Sequence, residues 1–120
     1  METTNTMNTF ELSNLLSDLA KCVQAFHKRF GTDTLASRQE LLTRIPIQDE
    51  EVRELEEAIN NETPERIASE ATDVLFVAIG TIMKLDPSNA ANAIQEIIDK
   101  NDAKTWDTHH INKAGKIVRR

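Results

Sequence analysis

The sequence predicts an all-α fold of four to five helices that completes its core by homo-oligomerisation. Three observations carry this. Apolar residues recur at the three-four spacing of amphipathic helices along most of the 120 residues. Two cap-then-proline pairs, Thr63-Pro64 and Asp86-Pro87, mark helix starts. The second half of the stretch 64–85 is apolar nearly all round, and a helix of that kind is covered on both sides.

Residues 1–8 are polar and read as a flexible N-terminus, 9–104 as the all-α domain and 105–120 as a basic C-terminal tail. From Phe10, the positions Leu12, Leu15, Leu16, Leu19, Val23, Phe26 and Phe30 form one helical face, and Gly31 supplies a stop. A second stretch opens near Ser37. Pro46 removes a backbone donor and clashes with the preceding turn. The reading is therefore a short helix over 37–44, a kink or restart at Pro46, and a longer helix to about Asn60 whose apolar stripe is Val52, Leu55 and Ile59. The helix over 64–85 follows, with Ile67, Ala71, Val74, Leu75, Ala78, Ile82 and Leu85 on one face. A last helix with Ala90, Ala91, Ile94, Ile97 and Ile98 ends near Lys104, and a short hairpin is expected around Ala114-Gly115.

Composition bounds the function. A formal charge of −6 argues against a general DNA or RNA binder. The charge is unevenly spread: residues 49–57 hold six acids and one base, while the last twenty residues carry Lys104, Lys113, Lys116, Arg119 and Arg120 against Asp102 and Asp107. An acidic centre that holds cations and a basic tail that holds anions suit a metal–phosphate chemistry. The single cysteine, Cys22, makes no internal disulfide and is read as packing or surface. The N-terminus lacks a signal-peptide pattern, and no apolar run approaches the roughly 20 residues of a membrane span. The expectation is a soluble, cytoplasmic protein with no membrane partner.

The most informative feature is a pair of acidic pairs. Glu51-x-x-Glu54 is followed, fifteen residues on, by Glu70-x-x-Asp73, which leads into Val74-Leu75-Phe76-Val77-Ala78-Ile79. Residues three apart share a helix face, so each pair aims two carboxylates at one point. Glu51 falls inside the apolar stripe and has no basic partner on its own helix, and a buried carboxylate needs one. An acidic run alone is most often a solvated face. The second pair and the adjoining apolar segment shift the balance towards a site for a hard divalent ion such as magnesium, built across two helices.

Glu50-Glu51-x-x-Glu54-Leu55 with Glu70-x-x-Asp73-Val74-Leu75-Phe76 resembles the signature of the MazG-like all-α nucleoside triphosphate pyrophosphohydrolases. The segments Phe26-His27-x-x-Phe30-Gly31, Gly80 and Ile98–Lys104 are similar to the phosphoribosyl-ATP-pyrophosphohydrolase-like branch, and Asn112–Val118 fits it more loosely. The resemblance covers roughly residues 22–104. It implies magnesium-dependent hydrolysis (manganese as a substitute) of nucleoside or deoxynucleoside triphosphates to monophosphate and pyrophosphate. Glu51, Glu54, Glu70 and Asp73 would be the metal ligands, and Glu50 an added ligand or the base that orients water. Asn101 and Lys104 would meet phosphate oxygens, with Lys113 and Lys116 as further substrate contacts. The implied assembly is a homodimer or homotetramer. Arg53 stands where many relatives carry a small residue.

Two alternatives stay open: hydrolysis of phosphoribosyl-ATP itself, and a non-catalytic helical module that binds nucleotide. His27 is read as a surface or helix-end residue, Trp106 as packing rather than a stacking surface, and the adjacent His109 and His110 as diverging. A di-iron bundle would need Glu-x-x-His pairs, and neither acidic pair contains histidine. Three glycines in the chain leave no glycine-rich phosphate loop.

Overall fold

The computed structural model describes residues 6–120. Among them are four helices and one hairpin: α1 (Thr9–Arg29), α2 (Arg38–Asn61), α3 (Pro64–Ile82), α4 (Pro87–Asp102), β1 (His109–Ile111) and β2 (Ile117–Arg119). The all-α class is as expected. The chain divides into two compact units, one up to Asp86 and one over Pro87–Arg120. Of the segment expected to fray, residues 1–5 lie outside the described residues, and Asn8 caps α1 by accepting from the Glu11 amide at 2.8 Å. Among the described residues no helix is long and apolar enough to cross a membrane.

In the first unit the punctuation follows the residues. Gly31 has φ 70°, Thr32 N–H bonds His27 O and Gly31 N–H bonds Lys28 O, the paired pattern that closes a helix on a left-handed residue. Ser37 and Glu40 cap α2 reciprocally, and Thr63 with Pro64 opens α3.

Pro46 does not restart the helix. Helix α2 runs unbroken through it. A proline inside a helix costs about 3 kcal/mol, and the side chains on either side supply the compensation. Arg44 donates to Val77 O (2.9 Å) and to Thr81 Oγ1 (3.1 Å), and Gln48 donates to Val74 O (3.0 Å). These bonds bolt both sides of the proline to α3. They also set the register of an antiparallel α2–α3 pair, later α2 residues facing earlier α3 residues.

The inward face of α2 also differs from the expected apolar stripe. It is Leu41, Arg44, Gln48, Glu51, Leu55 and Ala58, whereas Val52 and Ile59 are exposed. The matching seam on α3 is Ile67, Glu70, Val74, Val77 and Thr81. Both follow alternating steps of three and four, the spacing of helices packed nearly parallel to one another's axes. Polar residues hold the seam because α3 offers carbonyl and hydroxyl oxygens to long donors.

Helix α1 joins α3 on another face. Val23 is fully buried, and Phe26 meets Phe76 edge-on with ring centroids 5.3 Å apart. His27 is not a surface residue: it is buried, with Nδ1 2.7 Å from Thr32 Oγ1. A Cβ at Gly80 would lie 2.6 Å from His27 Nε2 and 2.7 Å from Arg44 Nη2, so only glycine lets these side chains cross α3 there. Lys84, also buried, donates to Thr32 O, and Ala36 N–H returns a bond to Lys84 O at 2.9 Å.

In the second unit, β1 and β2 pair antiparallel with His110 opposite Val118. The turn is built as the sequence reading expected: Gly115 has φ 84°, and Asn112 Oδ1 accepts from Ala114 and Lys116 amides. Trp106 does not close a core; it is 68% exposed.

Burial, then the nearby Arg44 and Lys84 charges, lower the His27 pKa from its ordinary value of 6.5, with Asp33 opposing. The unfolded chain therefore takes up the proton first. This contribution to stability is complete above pH 6.5 and is lost as pH falls from there through the lower folded value. Thermal melts between pH 7.5 and pH 5 should show the wild type losing stability relative to His27→Gln on acidification. Parallel curves for the two proteins would contradict it.

Candidate metal centre

The α2–α3 register brings the two acidic pairs together. Glu51, Glu70 and Asp73 each place a carboxylate oxygen within 4.8 Å of the others. Glu70 is buried, Glu51 half-buried and Asp73 exposed, so the cluster runs from the seam to solvent. Glu54 stands beside it, close enough to share hydrogen bonds with Glu51 and Glu70. Glu50 and Glu54 are both exposed.

The electrostatics are those of charges held together by the fold. Burial pushes the Glu51 carboxyl up, and the charges of Asp73, Glu70 and Glu50 add to this, against the contact with Glu54. Glu70 is raised by burial and by its hydrogen bond with Glu54, while Arg66 works in the other direction. Arg66 is the cluster's cationic neighbour. Its Nη2 lies 3.2 Å from Glu70 Oε1 and its Nε 3.2 Å from Glu62 Oε1. Reading the sequence did not single out Arg66, although its place four residues from both Glu62 and Glu70 was the available signal.

One observation tests whether this donor set suits a metal. Glu51 Oε2 is buried and has no hydrogen-bond partner. Such an atom is costly unless something cationic meets it. Three carboxylates converging there give an all-oxygen donor set, which fits a hard divalent cation rather than a soft one.

The other candidates fall in the second unit. Asn101 accepts at Oδ1 from Lys104 Nζ (3.0 Å) and donates to Ile97 O (2.8 Å), so these two form a pair. Lys113 and Lys116 are exposed on the hairpin turn. His109 and His110, expected to diverge, both line one cavity with Asn101, Lys104 and Trp106. Two neighbours on a strand point to opposite faces, and both nonetheless border this cavity.

A sequence model of the family described as phosphoribosyl-ATP pyrophosphohydrolase matches residues 19–101. No curated protein matches the chain, nor does any solved structure. The match takes in α2, α3 and the whole acidic cluster. The chain belongs to the phosphoribosyl-ATP pyrophosphohydrolase family, a MazG-like all-α group, and is a pyrophosphohydrolase that cleaves the acid anhydride of a nucleotide.

Proposed function

We propose that the chain hydrolyses nucleoside or deoxynucleoside triphosphates between the α- and β-phosphates, giving monophosphate and pyrophosphate, with magnesium as the ion and manganese as a substitute. The observation that carries this reading is the orphaned, buried Oε2 of Glu51, a residue whose carboxylate clusters with those of Glu70 and Asp73. Glu51, Glu54, Glu70 and Asp73 would hold the ion. When bound, it supplies positive charge against the substrate's phosphate oxygens and makes water easier to deprotonate.

The chain's own side chains do the rest. Glu50, exposed one residue before the cluster, takes the proton of the attacking water. The water oxygen bonds to phosphorus, the bridging P–O bond of the α–β anhydride breaks, and pyrophosphate leaves. Arg66 favours the ionised form of Glu70 and orients it through their 3.2 Å contact. Asn101 and Lys104 are assigned to phosphate oxygens, where the lysine is a point charge, with Lys113 and Lys116 as further contacts.

The family match favours a second substrate, phosphoribosyl-ATP, whose triphosphate offers the same anhydride. A panel of ribo- and deoxyribonucleoside triphosphates plus phosphoribosyl-ATP, each with magnesium or chelator, separates the two. Asp73→Asn and Glu54→Gln should each lose at least about a hundredfold in turnover, of the order seen when electrostatic groups are removed from active sites, with helicity by circular dichroism retained. Full activity in either variant would remove that residue from the ligand set.

Magnesium should raise the melting temperature, since a ligand at 100 times its dissociation constant adds about 2.7 kcal/mol. Glu51→Gln should melt higher than the wild type in chelator, because a buried like charge is gone, and should respond weakly to magnesium. A wild type insensitive to magnesium would count against the site.

We also propose that a second copy of the chain covers the apolar surface of the first unit. Helix α1 leaves Phe10 77% and Leu15 54% exposed, and on α3 Leu75 and Ile82 are exposed too. Large apolar side chains left exposed on two packed helices are the material of an interface. Light scattering after gel filtration should give twice or four times the 13.5 kDa chain mass; a monomer at all concentrations would refute this.

A further inference from the structure

We propose that the cavity of the second unit is a nucleobase-binding subsite, in which the base of a nucleoside phosphate stacks on Trp106 and hydrogen-bonds His110. This deepens the nucleotide reading above and rests on it for the ligand class. The cavity has a volume of about 370 Å³ and is lined by Asn101, Lys104, Trp106, His109, His110 and the hairpin isoleucines, among others. That size lies at the lower end for small-ligand sites and accommodates a planar heterocycle.

Four features match the chemistry of a base. Trp106 is 68% exposed and its main chain is held: Arg120 Nε donates to its carbonyl at 2.6 Å, and the Arg120 amide bonds Thr108 O. An aromatic face open to solvent on a held backbone is a stacking platform. Ile111 and Ile117, 53% and 55% exposed, face each other across the hairpin and supply apolar cover. His110 Nδ1 is buried without a hydrogen-bond partner, the state of a group that a heteroatom of the ligand completes. His109 Nδ1 lies 2.7 Å from Thr108 Oγ1, whose hydroxyl donates to Thr105 O. Nδ1 is thereby engaged, and Nε2 is the ring nitrogen left to meet a polar group of the base.

Lys104 adds a cation on the same wall for the attached phosphate. Among the described residues Lys104 Nζ meets only the neutral Asn101 Oδ1, at 3.0 Å, so its charge is left for a phosphate. All lining residues except Asn101 lie beyond residue 101, where the family match ends. The subsite is thus an addition of this chain's tail to the pyrophosphohydrolase domain.

Trp106 is the chain's single tryptophan, so its fluorescence reports on the cavity alone. The full-length protein is titrated in chelator with AMP, GMP, CMP and UMP, and with ribose 5-phosphate as the base-free control. The expected result is saturable quenching by at least one mononucleotide and none by ribose 5-phosphate. His110→Ala should weaken that binding about fivefold, the scale of one lost hydrogen bond, with circular dichroism unchanged. By calorimetry Trp106→Phe should bind within a few fold of the wild type, and Trp106→Ala about tenfold or more worse.

Equal quenching by ribose 5-phosphate, or no response to any mononucleotide, would overturn the subsite. So would a tryptophan signal that changes only with protein concentration, which would mean that a second copy fills the cavity. Pyrophosphate release from triphosphates with magnesium is measured on the same preparation. Release without a fluorescence response overturns the base subsite and leaves the hydrolase reading standing; a response without release does the reverse.

Discussion

The α2–α3 seam is the constraint on which the first unit depends. Arg44 and Gln48 reach across it to Val77 O and Val74 O, oxygens that are already acceptors within α3 and so take a second, bifurcated bond. Main-chain oxygens cannot move relative to their helix, so donors that grip them fix axial register more firmly than interdigitated leucines. A slip of one turn would break these bonds and carry Glu51 away from Glu70 and Asp73 together. The acidic cluster is thus a by-product of register, and the register is set by an amide one turn away and a cation two turns away.

The same logic explains how repulsion is tolerated. Three carboxylates within 4.8 Å would drive two free helices apart. Here the helices are joined by a tight turn at Thr63-Pro64 and clamped further along by Arg44, so the repulsion is retained as raised carboxyl pKa values instead of relaxing as separation. Arg66 offsets part of it through its contact with Glu70, and its charge also reaches Asp73. Glu51 is left as the carboxylate with most to gain from a bound cation.

Much of this was legible in the chain, for identifiable reasons. Helix ends were readable because Gly31, Ser37, Thr63-Pro64 and Asp86-Pro87 act locally, through backbone chemistry that does not depend on distant partners. The acidic cluster was readable because helical spacing converts Glu51 and Glu54, or Glu70 and Asp73, directly into a shared face. What was not legible depended on partners far along the chain. Pro46 looked like a break because its local cost is visible, whereas its compensation comes from Val74, Val77 and Thr81. Val52 and Ile59 looked like the inward face because apolar side chains ordinarily are, but the face that packs carries Arg44 and Gln48. His27 is buried only because Gly80, more than fifty residues away, makes room for it. The role of Trp106 depended on whether the tail folded over it.

Pro46 also divides α2 in a way that its smooth path conceals. With no amide hydrogen at residue 46, the ladder of backbone bonds skips a rung, and the contacts of Arg44 and Gln48 with the neighbouring helix reinforce the join on either side of it. Solvent exchange of backbone deuterons would then proceed in two blocks. The amides of Leu41–Ile45 follow local fraying near the Ser37 cap, and those from Glu50 onward follow the opening of the α2–α3 hairpin as a whole. Fluctuation that stops short of Arg44 therefore leaves the carboxylates one turn past the proline in register, whereas fluctuation that frees Arg44 from Val77 O does not.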